Sequence, residues 1–147
     1  AGMFFNIRIG TGKTEMIRAV LEGICFHLRW MLECEDKKVK TSQTIRFVGG
    51  GALSPVTCQM LSDITGRTVE TVENTKDVGS IGAAILVAVG CGSIADFDHV
   101  EEYIPVKARY EPDPKTHHIY DRNYKVFRRL YQNNKENFTI LNEGRSE

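Results

Sequence analysis

The sequence predicts an α/β fold with a parallel sheet, and three observations support this prediction. Two short stretches rich in β-branched and aromatic residues, 44–48 and 68–72, are typical of strands. Each is followed by a segment with the apolar spacing of a helix, and such alternation favours parallel strands joined by right-handed crossovers. Beyond these two strands, the only further candidate is 3–9, whereas parallel sheets normally have more strands and need both faces covered. The chain is therefore expected to be part of a larger α/β domain.

Length and composition exclude several classes of protein. The chain has 147 residues, of which 41% are hydrophobic and 26% charged, as in folded soluble domains. Its 19 Lys and Arg balance 19 Asp and Glu, which argues against a strongly basic nucleic-acid-binding protein. The longest weakly polar run, 81–95, is shorter than the roughly 20 apolar residues that span a bilayer. The apolar residues 3–5 do not follow a charged region of the kind that begins a signal peptide, so no signal peptide is predicted. We therefore expect a cytoplasmic protein with no nucleic-acid or membrane partner.

Cysteine and histidine usage points away from a metal site. The chain has four cysteines without a Cys-x-x-Cys pair, namely Cys25, Cys34, Cys58 and Cys91. Reduced thiols in a cytosolic protein are predicted rather than a disulfide framework or a zinc site. His117 and His118 have no cysteine near them in sequence, so we expect them to begin a solvated helix.

The first helix is predicted over 14–35, where the apolar residues recur at steps of three and four. This apolar stripe consists of Ile17, Val20, Leu21, Ile24, Leu28, Met31 and Leu32. Gly23 lies in the middle of the helix, where glycine costs ~1 kcal/mol relative to alanine. We therefore expect a close packing contact at Gly23 as compensation.

The second helix follows the glycine run 49–51. Ser54 as N-cap and Pro55 at the first helical position are a strong start signal, and Gly66 is suited to end the helix. Its predicted buried stripe consists of Val56, Met60, Leu61 and Ile64. A third helix is predicted over 79–90, and its small residues would let another backbone come close.

The C-terminal third of the chain has a different character. Residues 100–114 carry three prolines and little periodicity, which is typical of an extended surface segment. The last helix is predicted over about 117–141 from aromatic and apolar residues that share one face. These are Tyr120, Tyr124, Phe127, Tyr131, Phe138 and Leu141.

The run from Gly10 to Thr14, Gly-Thr-Gly-Lys-Thr, invites comparison with a phosphate-binding P-loop. That motif requires a glycine five residues before the glycine of its Gly-Lys-Thr element, and Ile7 occupies this position. The only candidate for the strand that should precede the loop is 4–9. A glycine turn into the first helix is therefore favoured, with a P-loop that uses Lys13 left as an alternative.

The run Gly49-Gly50-Gly51-Ala52 is more informative, because it links the carboxyl end of a strand to the start of a helix. Ligands of α/β sheets bind at the carboxyl ends of strands. Glycines let a phosphate or ribose approach the backbone, and the N–H groups of a helix N-terminus favour anions. The sequence predicts a nucleotide or phosphate site here, with a tight strand-to-helix turn as the alternative. No acid–base pair or nucleophilic triad is visible in the chain.

Several segments follow one another in the order and spacing of a known family: 18–24, 49–54, 59–66, 69–70 and 82–86. They resemble the C-terminal domain of the FGGY carbohydrate kinases, most of all the xylulokinase-like branch. Phe97, 110–114 and the aromatic face of the last helix resemble the terminal extension of that family. The resemblance implies that 1–98 form part of an actin-like, ribonuclease H-like ATPase domain. Residues 99–147 are then a terminal extension with a long helix.

The resemblance also implies a function. FGGY kinases bind ATP with Mg²⁺ between two domains and transfer the γ-phosphoryl group to a sugar hydroxyl, and a xylulose-type sugar is favoured here. Their glycine loop lines the nucleotide site, which makes Gly50, Gly51, Ala52 and Ser54 the expected nucleotide neighbours. The catalytic Asp base and the sugar pocket of the family lie upstream of this sequence, so no catalytic residue or metal ligand is predicted within it.

The expected partners are ATP and a sugar, bound together with an N-terminal domain that this chain lacks, so the chain alone should be inactive. A homo-oligomer that uses the aromatic face of the last helix, 117–141, is a further alternative. The alternative function is a non-catalytic actin-like module that binds a nucleotide or a protein partner.

Overall fold

The computed structural model describes residues 2–98 and 100–144. Their helices are α1 (Lys13–Asp36), α2 (Pro55–Thr65), α3 (Val78–Gly90) and α4 (Pro114–Asn142). Their strands are β1 (Thr44–Arg46), β2 (Thr68–Val72) and β3 (Val106–Tyr110). Two 3₁₀ turns occupy Gly50–Leu53 and Val100–Tyr103. The predicted alternation of strands and helices between 44 and 90 is confirmed.

The sheet has the order β1-β2-β3. β1 and β2 are adjacent and parallel, with Ile45 opposite Val69, as the alternation predicted. The helix between them starts as expected, because the Ser54 side chain accepts a hydrogen bond from the N–H of Thr57 and Pro55 is the first helical residue. Gly66 ends this helix in the left-handed conformation, at φ 69°.

β3 lies within 100–114, for which an extended surface segment and no strand were predicted. It pairs antiparallel with β2, and Arg109 stands opposite Glu70, with their side chains 3.1 Å apart. This strand was missed because the prolines that flank it, Pro105 and Pro112, obscured a short pattern whose partner lies far away in sequence. β3 is an edge strand, where flanking prolines cost no ladder hydrogen bonds.

One hydrophobic core lies between α1, α2, β2 and α4. Its buried members are Cys25, Phe26, Cys58, Met60, Leu61, Ile64, Val69, Tyr120 and Tyr124. Two hydroxyl groups of α4 bind carboxylates of α1: Tyr120 donates to Glu22 at 2.9 Å and Tyr124 to Glu33 at 2.8 Å. The C-terminal helix therefore shares its core with the elements that precede it.

α4 begins three residues before its predicted start. Asp113 is the N-cap, with its side chain accepting from the N–H of Lys115, and Pro114 is the first helical residue. Proline is favoured at this position because its missing N–H would have no intrahelical partner there. The prolines of the preceding segment thus include a helix start signal.

Part of the apolar surface predicted to be buried is exposed. On α1, Ile17, Val20 and Ile24 are each about half exposed, at 53%, 48% and 54%. Val56, predicted as part of the α2 stripe, is 68% exposed. The close contact expected at Gly23 is absent, since no described atom lies within 4 Å of a Cβ built there. An apolar pattern indicates which side of a helix avoids water, but it does not show which neighbour covers that side.

α3 packs least. Among its described residues only Ile85 is buried, while Leu86 and Val87 are more than 60% exposed. No helix in the described part of the chain has the length and apolar character needed to cross a membrane.

Candidate functional site

The glycine loop continues directly from β1. Beyond the last residue of the strand, the N–H of Phe47 still donates to the carbonyl of Glu70 at 2.8 Å, so the pairing with β2 reaches the base of the loop. Gly49 then has φ 85° and ψ −166°, a region that is essentially restricted to glycine. Of the three glycines in the run, Gly49 is the one with a positive φ.

The three glycines have three different environments. Gly49 is required by its backbone conformation. At Gly51, a Cβ would lie 2.8 Å from Cζ of the Phe47 ring, so the missing side chain allows close packing. Apart from the adjoining backbone, no described atom lies within 4 Å of a Cβ built on Gly50. Gly49 is equally open on this side, but its backbone conformation already requires glycine, so Gly50 is the position at which the open side has no backbone explanation.

The same loop presents two backbone donors. Within residues 2–98 and 100–144, the N–H groups of Gly50 and Gly51 have no hydrogen-bond partner. They lie just before the N-terminus of α2, where the partial positive charge of the helix favours an anion. Unpaired N–H groups beside a helix start have the chemistry that phosphate oxygens require.

The other two predicted site residues face differently. The side chain of Ala52 is buried, and its carbonyl accepts a hydrogen bond from the thiol of Cys58 with 3.6 Å between S and O. Burial raises the pKa of Cys58, so this thiol keeps the proton that it donates. Ser54 is half-buried and caps α2. The structure therefore brings Gly50, Gly51, Ala52 and Ser54 into one loop, in which Ala52 and Ser54 have structural contacts of their own.

Sequence reasoning did not identify two residues that shape this loop. Thr75, in the turn between β2 and α3, holds Gly49 through hydrogen bonds. Phe47 forms the surface on which Gly51 lies. Thr75 is 26 residues from Gly49 and belongs to no recognisable motif. Phe47 stands two residues before the glycine run, and an aromatic residue there is a signal that could have indicated close packing against a glycine.

The run around Lys13 does not have P-loop geometry. Residues 2–9 form no strand, so the further strand for which 3–9 was a candidate is not present there. The N–H of Gly12 donates to the Glu15 carboxylate at 3.1 Å, with Oε2 only 2.9 Å from a Cβ built on Gly12. A carboxylate therefore occupies the helix start that a phosphate would need, and a glycine turn into α1 is the better description.

A small polar cleft between α1 and the end of α2 is neutralised by its own side chains. Its volume is about 120 Å³, and it is lined in part by Arg29 and Arg67. Arg29 lies 3.4 Å from Glu33, and Arg67 pairs with Asp36. No group of three or more His, Cys, Asp or Glu that could hold a metal ion occurs among the described residues.

The domain is an α/β domain whose glycine loop lies at the carboxyl end of a parallel strand, where α/β sheets commonly bind ligands. Residues 1–91 match the C-terminal domain of the FGGY family of carbohydrate kinases, and the chain belongs to this family. The suspected resemblance is thereby confirmed.

Curated relatives agree with this assignment. The chain is 30% identical to the xylulose kinase of Staphylococcus epidermidis over 136 residues, which is 92% of this chain and 27% of the relative. It is 31% identical to the xylulose kinase of Escherichia coli over 132 residues, again 27% of that protein. The chain thus spans about a quarter of the length of the relatives that it matches.

Solved structures show the same fold. The xylulose kinase from Rhodospirillum rubrum superposes with a TM-score of 0.83 at 25% identity, covering 94% of this chain and 28% of that one. A glycerol kinase from Plasmodium falciparum, crystallised with ADP, superposes with a TM-score of 0.70 at 23% identity. The superposition covers 83% of this chain and 25% of the glycerol kinase. The chain therefore has part of an actin-like ATPase fold, as the resemblance implied.

Proposed function

We propose that this chain is the ATP-side portion of a carbohydrate kinase that transfers the γ-phosphoryl group of ATP to a sugar hydroxyl. Membership of the FGGY family supports the reaction class, and relatives named xylulose kinase favour a xylulose-type sugar. The observation that carries the nucleotide assignment is the open face of Gly50 at the carboxyl end of β1. The partners are ATP and the sugar, bound jointly with the part of the kinase outside this chain, and the location is cytoplasmic.

In this proposal, the glycine loop contacts the nucleotide through its backbone. Gly50 leaves space for the ligand, and the N–H groups of Gly50 and Gly51 donate to its oxygens. Ser54 keeps its own hydroxyl engaged with the N–H of Thr57 at 3.3 Å, so it contributes by holding the helix start in place. Ala52 contributes by holding the 3₁₀ turn in place, since its methyl group is buried, its N–H donates to Gly49 and its carbonyl accepts from the Cys58 thiol.

The chain supplies only part of what phosphoryl transfer needs, which includes a residue that orients the attacking hydroxyl, a metal site and phosphate clamps. Mg²⁺ is the metal that the family implies, and the described residues offer it no cluster of ligands. We therefore expect the 147-residue chain alone to release no ADP from ATP in the presence of pentoses or pentuloses. Sugar-dependent turnover near ~1–100 s⁻¹, the usual kinase range, would contradict this expectation.

We further propose that 1–98 are the actin-like part and 99–147 a terminal extension of the family. The shared core at Tyr120 and Tyr124 supports the view that the extension stabilises the nucleotide domain.

The experiment that tests the nucleotide assignment replaces Gly50 by valine in the complete kinase. A branched side chain there would occupy the space of the ligand, so ATP affinity should fall roughly 30- to 1000-fold, the equivalent of about 2–4 kcal/mol. Sugar affinity and the melting temperature should change little. Gly50 is preferable to Gly51, because a side chain at Gly51 would also displace Phe47.

Gly10→Val is the matched control, since Gly10 also has open space around it and lies in the competing glycine run. Its ATP affinity should stay unchanged. If a folded Gly50→Val protein binds ATP as well as the wild type, the nucleotide assignment of this loop is wrong. Loss of ATP binding in Gly10→Val or Lys13→Ala would favour the P-loop alternative instead.

A further inference from the structure

Thr75 connects the turn before α3 to the glycine loop. Its Oγ1 accepts a hydrogen bond from the N–H of Gly49 at 3.0 Å. Its carbonyl oxygen accepts from the same N–H at 3.2 Å. Thr75 is only 9% exposed, and its hydrogen bond to Gly49 is partly buried. The first residue of the glycine loop is thus held by a segment 26 positions away in sequence.

Gly49 is the position at which such a restraint has most effect. Its φ of 85° and ψ of −166° turn the chain away from β1. Its carbonyl in turn accepts from the N–H of Ala52 at 3.2 Å, which closes the 3₁₀ turn. The orientation of Gly49 therefore sets the direction of the two free N–H groups at Gly50 and Gly51.

The turn that carries Thr75 is itself restrained on both sides. Asn74 has a left-handed backbone, at φ 50°, and its carbonyl accepts from the N–H of Asp77 at 2.7 Å. The N–H of Glu73 donates to the carbonyl of Pro105 at 3.0 Å, which connects the turn to the start of β3. Thr75 is held between these two contacts, so its hydroxyl is presented to Gly49 from a fixed support.

We propose that Thr75 is a positioning residue for the nucleotide: its hydroxyl orients the Gly49–Gly51 backbone so that the free N–H groups face the bound nucleoside triphosphate. This inference rests on the proposed function of the loop. Thr75 acts through Gly49 and makes no contact with the ligand itself. The hydroxyl and the carbonyl share one donor, so removing the hydroxyl weakens the restraint without leaving that N–H unpaired.

The test compares Thr75→Val, Thr75→Ser and Thr71→Val in the complete kinase. Thr75→Val should raise KM for ATP about five- to tenfold, the equivalent of one ordinary hydrogen bond, while KM for the sugar stays within about twofold. Thr75→Ser keeps the hydroxyl and should restore KM for ATP. Thr71 is the matched control, because it is a buried threonine that makes no hydrogen bond to the loop within the described residues. Thr71→Val should leave KM for ATP unchanged.

A merely structural role would give a different result. Thr75→Val would then lower the melting temperature and change both KM values together, and this outcome would overturn the inference. Thr75→Ala, which removes the hydroxyl and leaves more space, answers the same question if the valine variant does not fold.

The Gly50→Val variant, measured in parallel, separates the inference from the proposed function. If Gly50→Val selectively loses ATP affinity while Thr75→Val keeps the wild-type KM for ATP, Thr75 has no positioning role. The assignment of the loop to the nucleotide then still stands. If neither variant changes the affinity or the KM for ATP, the nucleotide assignment itself is wrong.

Discussion

The imidazole ring of His117 lies directly against Gly66. A Cβ built on Gly66 would be 2.7 Å from Cε1 of His117, and Nδ1 of that ring lies 2.7 Å from the carbonyl oxygen of Asp63. Gly66 also has a left-handed backbone, at φ 69°. Glycine is therefore required at the end of α2 both by conformation and by space, and His117 couples the start of α4 to that helix end.

Gly66→Ala should destabilise the chain by about 1–3 kcal/mol, because a left-handed non-glycine residue is strained and its methyl group would displace His117. Urea unfolding of the 147-residue chain measures this change. Gly23→Ala is the control, since Gly23 is a helical glycine with open space around it. That variant should stabilise the chain by about 0.5–1 kcal/mol. Equal effects of the two substitutions would contradict the interpretation of Gly66.

Gly49 and Gly50 should differ in the same assay. Gly49→Ala should cost about 1–3 kcal/mol, because its φ and ψ lie in a region that other residues hardly populate. Gly50→Ala should change the free energy of unfolding by less than about 0.5 kcal/mol, since the added methyl group meets no neighbour. A large loss of stability in Gly50→Ala would show that Gly50 is a structural glycine and not an open ligand face.

Tyr124→Phe should weaken the attachment of α4 to α1. The hydroxyl of Tyr124 donates to the Glu33 carboxylate at 2.8 Å, and the guanidinium of Arg29 lies 4.3 Å from the centre of the ring. Loss of the hydroxyl should cost about 1 kcal/mol, because the carboxylate is partly exposed and keeps Arg128 as a partner. Tyr131→Phe is the matched control, since its hydroxyl makes no hydrogen bond within the described residues and its ring packs against Trp30. Similar losses in both variants would refute the role of the Tyr124–Glu33 bond.

Alkaline pH should destabilise the chain. Burial, followed by the nearby charge of Glu22, raises the pKa of Cys25 from 9.0 to about 11. The unfolded chain therefore loses this proton before the folded chain does, and the free energy of unfolding should fall as pH rises from 9.0 to about 11. Burial and Glu33 also raise the pKa of Tyr124, which acts in the same direction at higher pH. Urea unfolding at several pH values measures the slope.

Cys25→Ala removes one of these groups and should make the slope of stability against pH shallower. Cys34→Ala is the control, because Cys34 is exposed and should leave the slope unchanged. An identical slope in wild type and Cys25→Ala would show that the buried thiol does not contribute to alkaline unfolding.

The sequence alone determined the four helices, the two parallel strands and their order. Ser54 and Pro55 predicted the start of α2, Gly66 predicted its end, and the alternation of strand and helix predicted the parallel pairing of β1 with β2. The helix start and end depend on residues close in sequence, which is why short patterns record them, whereas the parallel pairing followed from the order of strands and helices. The glycine loop was likewise visible as a strand-to-helix connection.

Only the tertiary structure decided how these elements share surfaces. It paired β3 with β2, left half of the apolar stripe of α1 exposed, and gave the three glycines of the loop three different roles. Thr75 holds Gly49 and His117 covers Gly66 across 26 and more residues, and neither contact follows from a repeating pattern. The physical reason is that a hydrogen bond or a close approach between distant segments depends on the final packing of the chain, whereas periodicity and caps act within a few residues.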